Sequence, residues 1–362
     1  MAYTTIDDPS AYFQTALYTG NGGSSTQVVT NDGNSDLQPD WIWLKNRTSA
    51  RWHLVNDSSR GASYNIYPNE EDAEDVGGSG GNTSITSFNS DGFTLATDTG
   101  DGGWNEQGDS HVAWQWKCNG GTTSSFTESG GNPGGTIQTN TTAGFSIITT
   151  TGTGGNGGTI AHGLGAVPHL IISKGRSDAG AWSVYHHKNT SEPETELLNL
   201  AIDGATLDSP AYYNDTAPTS SVFTVKGSGD INGDNRTYVH YVFTEKQGYS
   251  KFGSYTGNGN ADGPFVYTGF KPAWVMIRRT DAVENWIMLD NKREPFNVVT
   301  KRLYADLNNT ESTSGTRMDF LSNGFKLRQS VGDINTSSGT YIYMAFAGHP
   351  FVSSEGVPTT AR

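Results

Sequence analysis

Hydrophobic and polar residues alternate over short stretches of this chain, and turn residues separate the stretches. Phe93-Thr94-Leu95 places two apolar side chains on one side of a strand, and the preceding Asp91-Gly92 is a strong hairpin signal. Other runs, such as residues 274–277, are apolar at every position, which indicates a strand covered on both faces. Short helices are predicted only at 68–76 and 295–303, and 192–202 fits either a helix or a strand. The pattern predicts antiparallel sheets.

A block that combines a proline, an apolar run and a later tryptophan occurs three times. The prolines are Pro39, Pro168 and Pro272. The tryptophans that follow them by 13, 14 and 14 residues are Trp52, Trp182 and Trp286. Because these three rings recur in step, we expect all three in a hydrophobic core.

Three further blocks follow the same order in each copy. The first has Phe93, Phe223 or Phe325 after a turn. The second closes each copy, at residues 111–114, 238–241 and 341–344. The third opens the outer copies at 18–22 and 255–259, with a degenerate middle version at 150–154. The copies are about 105 residues long, too long for solenoid repeats and suited to independent domains.

The repeat predicts an all-β fold of three tandem antiparallel β-sandwich, jelly-roll-like modules. Residues 1–12 are predicted to form an N-terminal arm outside the repeat. The modules cover 13–118, 144–248 and 249–362. Between the first two, residues 119–143 are rich in Gly, Thr and Ser and form either a linker or a weak extra hairpin.

Composition and charge narrow the function. The chain has 37 acidic and 23 basic residues, a net charge of −14, which disfavours nucleic acids and anionic membranes as partners. The acidic run at 70–75 is predicted to be solvated. The single cysteine, Cys118, cannot form an internal disulfide and is predicted to be structural. No signal peptide and no long apolar segment are found, which favours assembly in a reducing cytoplasm without membrane insertion.

The sequence contains no catalytic, cofactor-binding or zinc motif, so we predict a protein that is not an enzyme and has no cofactor and no metal. Asp230, Asn232 and Asp234 resemble the start of a calcium loop but lack its later glutamate, and a polar turn explains them equally. Asp98, Asp101 and Asp109 form a second acidic, glycine-rich stretch with the same two readings.

Aromatic residues in turns are the one hint of a ligand. Trp104, Tyr212 and Tyr213 lie among glycine, asparagine, aspartate and proline. Rings exposed beside polar groups can stack on sugars, so these three are candidate glycan contacts, with packing inside the loops as the alternative.

Several strings, among them LYTGNG, SFNSDGFTL, HGLGAVP and GYSKFGSYTGNGNADGPFVYTGFKPAWVMIRRT, resemble a family of repeat-built structural or tail-fibre-like virion proteins of marine tailed phages, including cyanophages. The resemblance covers nearly the whole chain. It implies all-β modules and a component of the particle, and it implies no catalytic residues.

We therefore predict a virion structural protein on the particle exterior, as a tail fibre, an appendage or a capsid decoration. The alternatives are a glycan-binding adhesin that recognises the host and a depolymerase of host polysaccharide. The predicted partners are other virion proteins, docked through residues 1–12, together with a host surface glycan in the adhesin case. A homo-oligomer is compatible with each. Deletion of residues 2–12 is expected to leave a folded protein that fails to join the particle.

Overall fold

The computed structural model describes residues 2–22, 25–76, 84–97, 103–155 and 157–359. Almost all regular structure in these ranges is antiparallel strand, which confirms the all-β prediction. The helical segments there are two 3-10 turns, Pro9–Ala11 and Pro193–Thr195, and one α-turn, Pro210–Tyr213. The short helices expected at 68–76 and 295–303 do not form, and 192–202 contains a turn followed by a strand. Within the described residues, no helix is long and apolar enough to cross a membrane.

The strands fall into three successive groups. Repeat 1 comprises β1 (Phe13–Thr19), β2 (Gln27–Val29), β3 (Trp41–Asn46), β4 (Leu54–Asp57), β5 (Gly61–Ile66), β6 (Asp75–Val76), β7 (Ile85–Phe88), β8 (Phe93–Leu95) and β9 (Ser110–Trp116). Repeat 2 comprises β10 (Ser124–Phe126), β11 (Gly134–Asn140), β12 (Phe145–Thr151), β13 (Gly158–Ala161), β14 (Leu170–Gly175), β15 (Trp182–His186), β16 (Glu196–Asn199), β17 (Leu207–Asp208), β18 (Val222–Val225) and β19 (Thr237–Phe243). Repeat 3 comprises β20 (Ser250–Thr256), β21 (Phe265–Tyr267), β22 (Phe270–Arg279), β23 (Ile287–Asp290), β24 (Leu303–Tyr304), β25 (Met318–Leu321), β26 (Gly324–Leu327) and β27 (Thr340–Pro350).

Each repeat has one large and one small sheet. The large sheets run β1-β9-β3-β4-β5-β6, then β10-β11-β12-β19-β14-β15-β16-β17, then β20-β27-β22-β23-β24. The small sheets run β2-β8-β7, β13-β18 and β21-β26-β25. In each large sheet, the strand that opens the repeat pairs with the strand that closes it, and the closing strand pairs with the proline-block strand. These three strands are β1-β9-β3, β12-β19-β14 and β20-β27-β22. The predicted module limits stay predictions. Residues 119–143 contain β10 and β11, which extend the large sheet of repeat 2, so they form the extra hairpin rather than a bare linker.

A separate hydrophobic core lies between the large and small sheets of each repeat. The recurring Phe93, Phe223 and Phe325 are fully buried, each in the core of its own repeat. Their burial follows from the alternation after the turn. The phenylalanine ring and the side chain two residues later both point towards the large sheet.

The opposite faces of the three large sheets pack against each other in a fourth core, which we call the shared core. The ring centroids of Trp41 in repeat 1 and Phe243 in repeat 2 lie 5.7 Å apart. Those of Trp116 in repeat 1 and Trp274 in repeat 3 lie 5.6 Å apart, and Phe243 lies 5.9 Å from Phe346 in repeat 3. Every repeat therefore touches both others. This explains why the proline-block strands are apolar on both faces.

The N-terminal residues pack on repeats 2 and 3 and on the shared core instead of projecting as an arm. Ile6 is buried in the shared core, the Tyr3 hydroxyl donates to the Gly269 carbonyl at 2.7 Å, and the Thr4 hydroxyl donates to the Gln247 carbonyl at 2.7 Å. Deleting residues 2–12 would remove these contacts as well as any docking contact, so a loss of stability is expected to accompany any loss of docking.

Trp52 does not have the core role predicted for it. Trp182 and Trp286 are 1% and 3% exposed, but Trp52 is 41% exposed. Trp52 lies one residue closer to its proline than the other two, and a shift of one position along a strand moves a side chain to the other face. The position equivalent to Trp182 is His53, whose Nδ1 accepts a hydrogen bond from Trp43 Nε1 at 2.8 Å.

These three equivalent positions join the repeats into a closed ring. The Nε1 of Trp182 donates to the carbonyl of Tyr67 in repeat 1, and Trp286 Nε1 donates to the carbonyl of Asn199 in repeat 2, each at 3.0 Å. The ring of His53 completes the cycle, since its Nε2 donates to the carbonyl of Tyr304 in repeat 3 at 2.8 Å. The same contact thus runs from repeat 2 to repeat 1, from repeat 3 to repeat 2 and from repeat 1 to repeat 3. The chain therefore has a pseudo-threefold arrangement.

Buried ion clusters lie at two of the three junctions. They are Asp57-Arg60-Glu74-Arg176 between repeats 1 and 2, and Asp290-Arg293-Glu311-Arg47 between repeats 3 and 1. At the third junction, the equivalent positions carry the neutral set of His186, Asn189 and Thr206, with Thr206 Oγ1 donating to Asn189 Oδ1 at 2.8 Å. Glu74 has a side chain only 8% exposed, so the prediction of a solvated acidic run is wrong at this residue.

Buried histidines make the stability of the protein depend on pH. Burial lowers the pKa of His186 and of His240 to about 3. In the unfolded chain a histidine titrates near 6.5, so below that pH the unfolded state binds protons that the folded state does not. The contribution of these histidines to the free energy of unfolding is fully present above pH 6.5. It is expected to fall as the pH drops towards 3, by up to about 1.4 kcal/mol per pH unit for each histidine.

Urea unfolding at a series of pH values between 7 and 4.5 measures this slope. The His186→Gln variant serves as the comparison, because it removes one of the buried titrating histidines and is expected to flatten the slope. A free energy of unfolding that stays constant over this range, or an unchanged slope in the variant, would contradict the assignment.

Candidate functional site

The structure buries two of the three aromatic side chains predicted to contact a glycan. Trp104 and Tyr213 are 4% and 2% exposed, and the Trp104 ring stacks on Tyr67 with a centroid distance of 5.9 Å. Tyr212 is half-buried, and its hydroxyl donates to Asp230 Oδ2 at 2.7 Å. The burial of Trp104 and Tyr213 matches the alternative of packing inside the loops, and glycan contact stays a prediction.

Side-chain oxygens of the calcium-like segment accept hydrogen bonds from backbone amides of neighbouring segments. Asp230 Oδ1 accepts from the Ala181 amide at 3.1 Å, and Asn232 Oδ1 accepts from the Thr153 amide at 2.9 Å. These bonds engage one oxygen of each side chain with a backbone donor, and the calcium and polar-turn readings both stay predictions. In the second acidic stretch, Asp109 Oδ2 accepts from Asn46 Nδ2 at 2.8 Å, while Asp98 and Asp101 lie outside the described residues.

Cys118 is buried in the shared core. Its Sγ donates to the Phe145 carbonyl at 3.4 Å, and burial raises the pKa of the thiol well above its usual value. Such a thiol is a poor nucleophile, which agrees with the predicted structural role.

A corner at the same end of each large sheet brings three side chains together. The first corner position lies just before the proline-block strand or within its first four residues. The second is the residue after the next strand. The third lies just after the closing strand or late in it. The first two are joined in every repeat by the same backbone hydrogen bond: Ser58 to Asp40, His187 to His169, and Asn291 to Ala273. The third positions are Cys118, Glu245 and Gly348.

In repeat 2 this corner contains two histidines and a glutamate. The rings of His169 and His187 are perpendicular, with centroids 4.5 Å apart, and His187 Nε2 lies 3.9 Å from Glu245 Oε1. One potential ligand atom from each of the three residues lies within 4.8 Å of the other two. All three side chains are half-buried, and His169 and Glu245 line a cleft of about 510 Å³, which we call the repeat-2 cleft. Tyr3 and Tyr267 line it as well.

Hydrogen bonds orient this group. His187 Nε2 donates to the Phe252 carbonyl at 2.7 Å, so Nδ1 of a neutral ring keeps its lone pair. His169 Nδ1 accepts from the Glu245 amide at 3.1 Å, and Glu245 Oε2 accepts from Lys251 Nζ at 2.8 Å. Burial lowers the pKa of His169 to about 4 and also lowers the pKa of His187, so both rings are neutral at neutral pH.

The corners of the other two repeats are different. In repeat 1 the Asp40 carboxylate accepts from the amides of Cys118, Gly120 and Gly121 at 2.6–2.9 Å, so a turn of the chain fills the corner. In repeat 3, Ala273 and Gly348 are small and border a cavity of about 270 Å³. The His169, His187 and Glu245 group was not predicted from the sequence, because its members are far apart along the chain and meet only through the strand register.

Comparisons with known proteins give a family and no function. No curated protein matches the chain, and no solved structure matches it. One family model, described as a domain of unknown function (DUF7483), matches residues 8–350. This single match extends over all three repeats, in agreement with a core that all three share. The chain belongs to the DUF7483 family.

Proposed function

We propose that this protein is a non-catalytic structural component of the exterior of a virus particle, as a tail fibre, an appendage or a capsid decoration. The observation that carries the proposal is the closed ring of three repeats around one aromatic core. Such a ring presents three related outer surfaces at fixed angles. That suits a subunit that contacts several copies of a neighbouring protein in a symmetric assembly.

Two further features support the proposal. The sequence resembles repeat-built virion proteins of marine tailed phages over nearly its whole length. The net charge of −14 favours an exposed position, since an acidic surface is repelled by packaged nucleic acid and resists aggregation. Other virion proteins are the proposed partners, and the virion is the proposed location.

Analysis of purified virus particles tests the proposal. Mass spectrometry is expected to find the protein in the particles, and a cryo-electron microscopy reconstruction is expected to place the ring on their outer surface in contact with several protein neighbours. Absence from purified particles, while the protein is present in the lysate of infected cells, would contradict the proposal.

Two assays on the purified protein separate the remaining alternatives. Binding on a glycan array would favour the adhesin, which is compatible with a position on the particle. Release of sugars from host polysaccharide, abolished by replacing an aspartate or glutamate pair, would favour a depolymerase and overturn the non-catalytic role.

A further inference from the structure

We propose that His169, His187 and Glu245 bind a divalent transition-metal ion, with Zn²⁺ as the best match, at the edge of the repeat-2 cleft. Two imidazole nitrogens and one carboxylate oxygen form a ligand set typical of zinc, with a fourth position open to water or to another molecule. This inference concerns a site that is independent of the proposed role in a virus particle.

The separations of the ligand atoms are close to those that zinc requires. Tetrahedral coordination with bonds of about 2.1 Å places neighbouring ligand atoms roughly 3.4 Å apart. The three candidate atoms lie within 4.8 Å of one another, and His187 and Glu245 have side chains that are 22% and 20% exposed. Bonding distance therefore requires side-chain rotation, which the partial exposure of His187 and Glu245 allows.

The surroundings prepare the group for a metal ion. Imidazole coordinates through a nitrogen lone pair, and His187 Nδ1 keeps its lone pair because Nε2 donates to the Phe252 carbonyl. A metal ion bound to His169 Nδ1 replaces the hydrogen bond that this atom accepts from the Glu245 amide. The bond from His187 Nε2 to the Phe252 carbonyl is of the kind that orients metal-binding histidines. Lys251, which pairs with Glu245, is 38% exposed, so the metal ion can displace its ammonium group into solvent at little cost.

Comparison of the three corners supports the assignment. Asp40 in repeat 1 makes three hydrogen bonds to backbone amides, which satisfy its carboxylate without any ligand. Repeat 3 has Ala273 and Gly348 at two of the positions, and these offer no ligand atom. Among the described residues, the corner of repeat 2 is the one with potential metal ligands at all three positions, and two of them, His169 and Glu245, line an open cleft.

Metal titration of the full-length protein tests the proposal. After treatment with a chelator, isothermal titration calorimetry with Zn²⁺ is expected to show one bound ion per chain. Co²⁺ is expected to give the intense visible absorption of a four-coordinate site. The variants His187→Gln and Glu245→Gln are expected to weaken Zn²⁺ binding at least tenfold, with unchanged circular dichroism spectra.

The control is His349→Gln, which removes an exposed histidine from the cavity of repeat 3 and is expected to leave Zn²⁺ binding unchanged. Absence of Zn²⁺ binding to the wild-type protein would overturn the proposal. Equal binding by the wild-type protein and the His187→Gln and Glu245→Gln variants would also overturn it, because the ion would then be bound elsewhere.

Discussion

Replacing Trp41 by alanine is expected to lower the free energy of unfolding by about 3–5 kcal/mol, the usual cost of removing a large buried aromatic side chain. Trp41 is 1% exposed in the shared core. Its ring lies 4.4 Å from that of Trp116 in repeat 1 and 4.8 Å from that of Tyr241 in repeat 2, by centroid distance. The substitution therefore leaves a cavity at the junction of two repeats.

Urea unfolding followed by tryptophan fluorescence and circular dichroism measures this effect. Trp52→Ala is the matched control, because it removes the same side chain from the same repeat at a position that is 41% exposed. We expect the control to cost about 1 kcal/mol or less, as surface substitutions usually do. Similar losses from the two variants would refute the assignment of Trp41 to the core and of Trp52 to the surface.

Replacing Asp57 by alanine is expected to destabilise the protein by about 3–5 kcal/mol, since it removes one partner from a buried ion cluster. Asp57 and Arg60 both have side chains that are 0% exposed. Asp57 Oδ2 also accepts from the Tyr241 hydroxyl at 2.7 Å, so the carboxylate joins repeat 1 to repeat 2. Its removal leaves buried donors without an acceptor, which costs more than the pair itself contributes.

The control for this prediction is Asp178→Ala. Asp178 pairs with Arg236 at 3.4 Å on the surface, and the two side chains are 47% and 43% exposed. Exposed pairs of this kind contribute about 0–1 kcal/mol. If thermal or urea unfolding shows that Asp57→Ala costs no more than Asp178→Ala, the junction between repeats 1 and 2 does not depend on the buried ion cluster.

Much of the fold within a repeat could be predicted from the sequence. The internal repeat places β3, β14 and β22 at equivalent positions, and alternation after a turn places Phe93, Phe223 and Phe325 in the cores. These features are local, because a strand's burial pattern repeats every two residues. The apolar runs also showed that the proline-block strands are covered on both faces, but a run of this kind carries no information about what covers the second face.

The features that sequence reasoning missed depend on register and on contacts between repeats. Trp52 follows its proline by one residue fewer than Trp182 and Trp286, and that difference alone exposes its ring. His169, His187 and Glu245 come together only once the ends of β14, β15 and β19 are aligned in the sheet. Alignment of the three proline blocks in register would have placed these residues at equivalent corner positions and could have revealed the group.

Hydrogen exchange measured by mass spectrometry through the urea transition tests most directly whether the three repeats share one core. Amides of β3, β14 and β22 report on repeats 1, 2 and 3 in the same sample. A shared core predicts that they lose protection at one common urea concentration, and that Trp41→Ala lowers this midpoint equally for all three. A shift confined to β3, with β14 and β22 unchanged, would show three separate domains and contradict the ring.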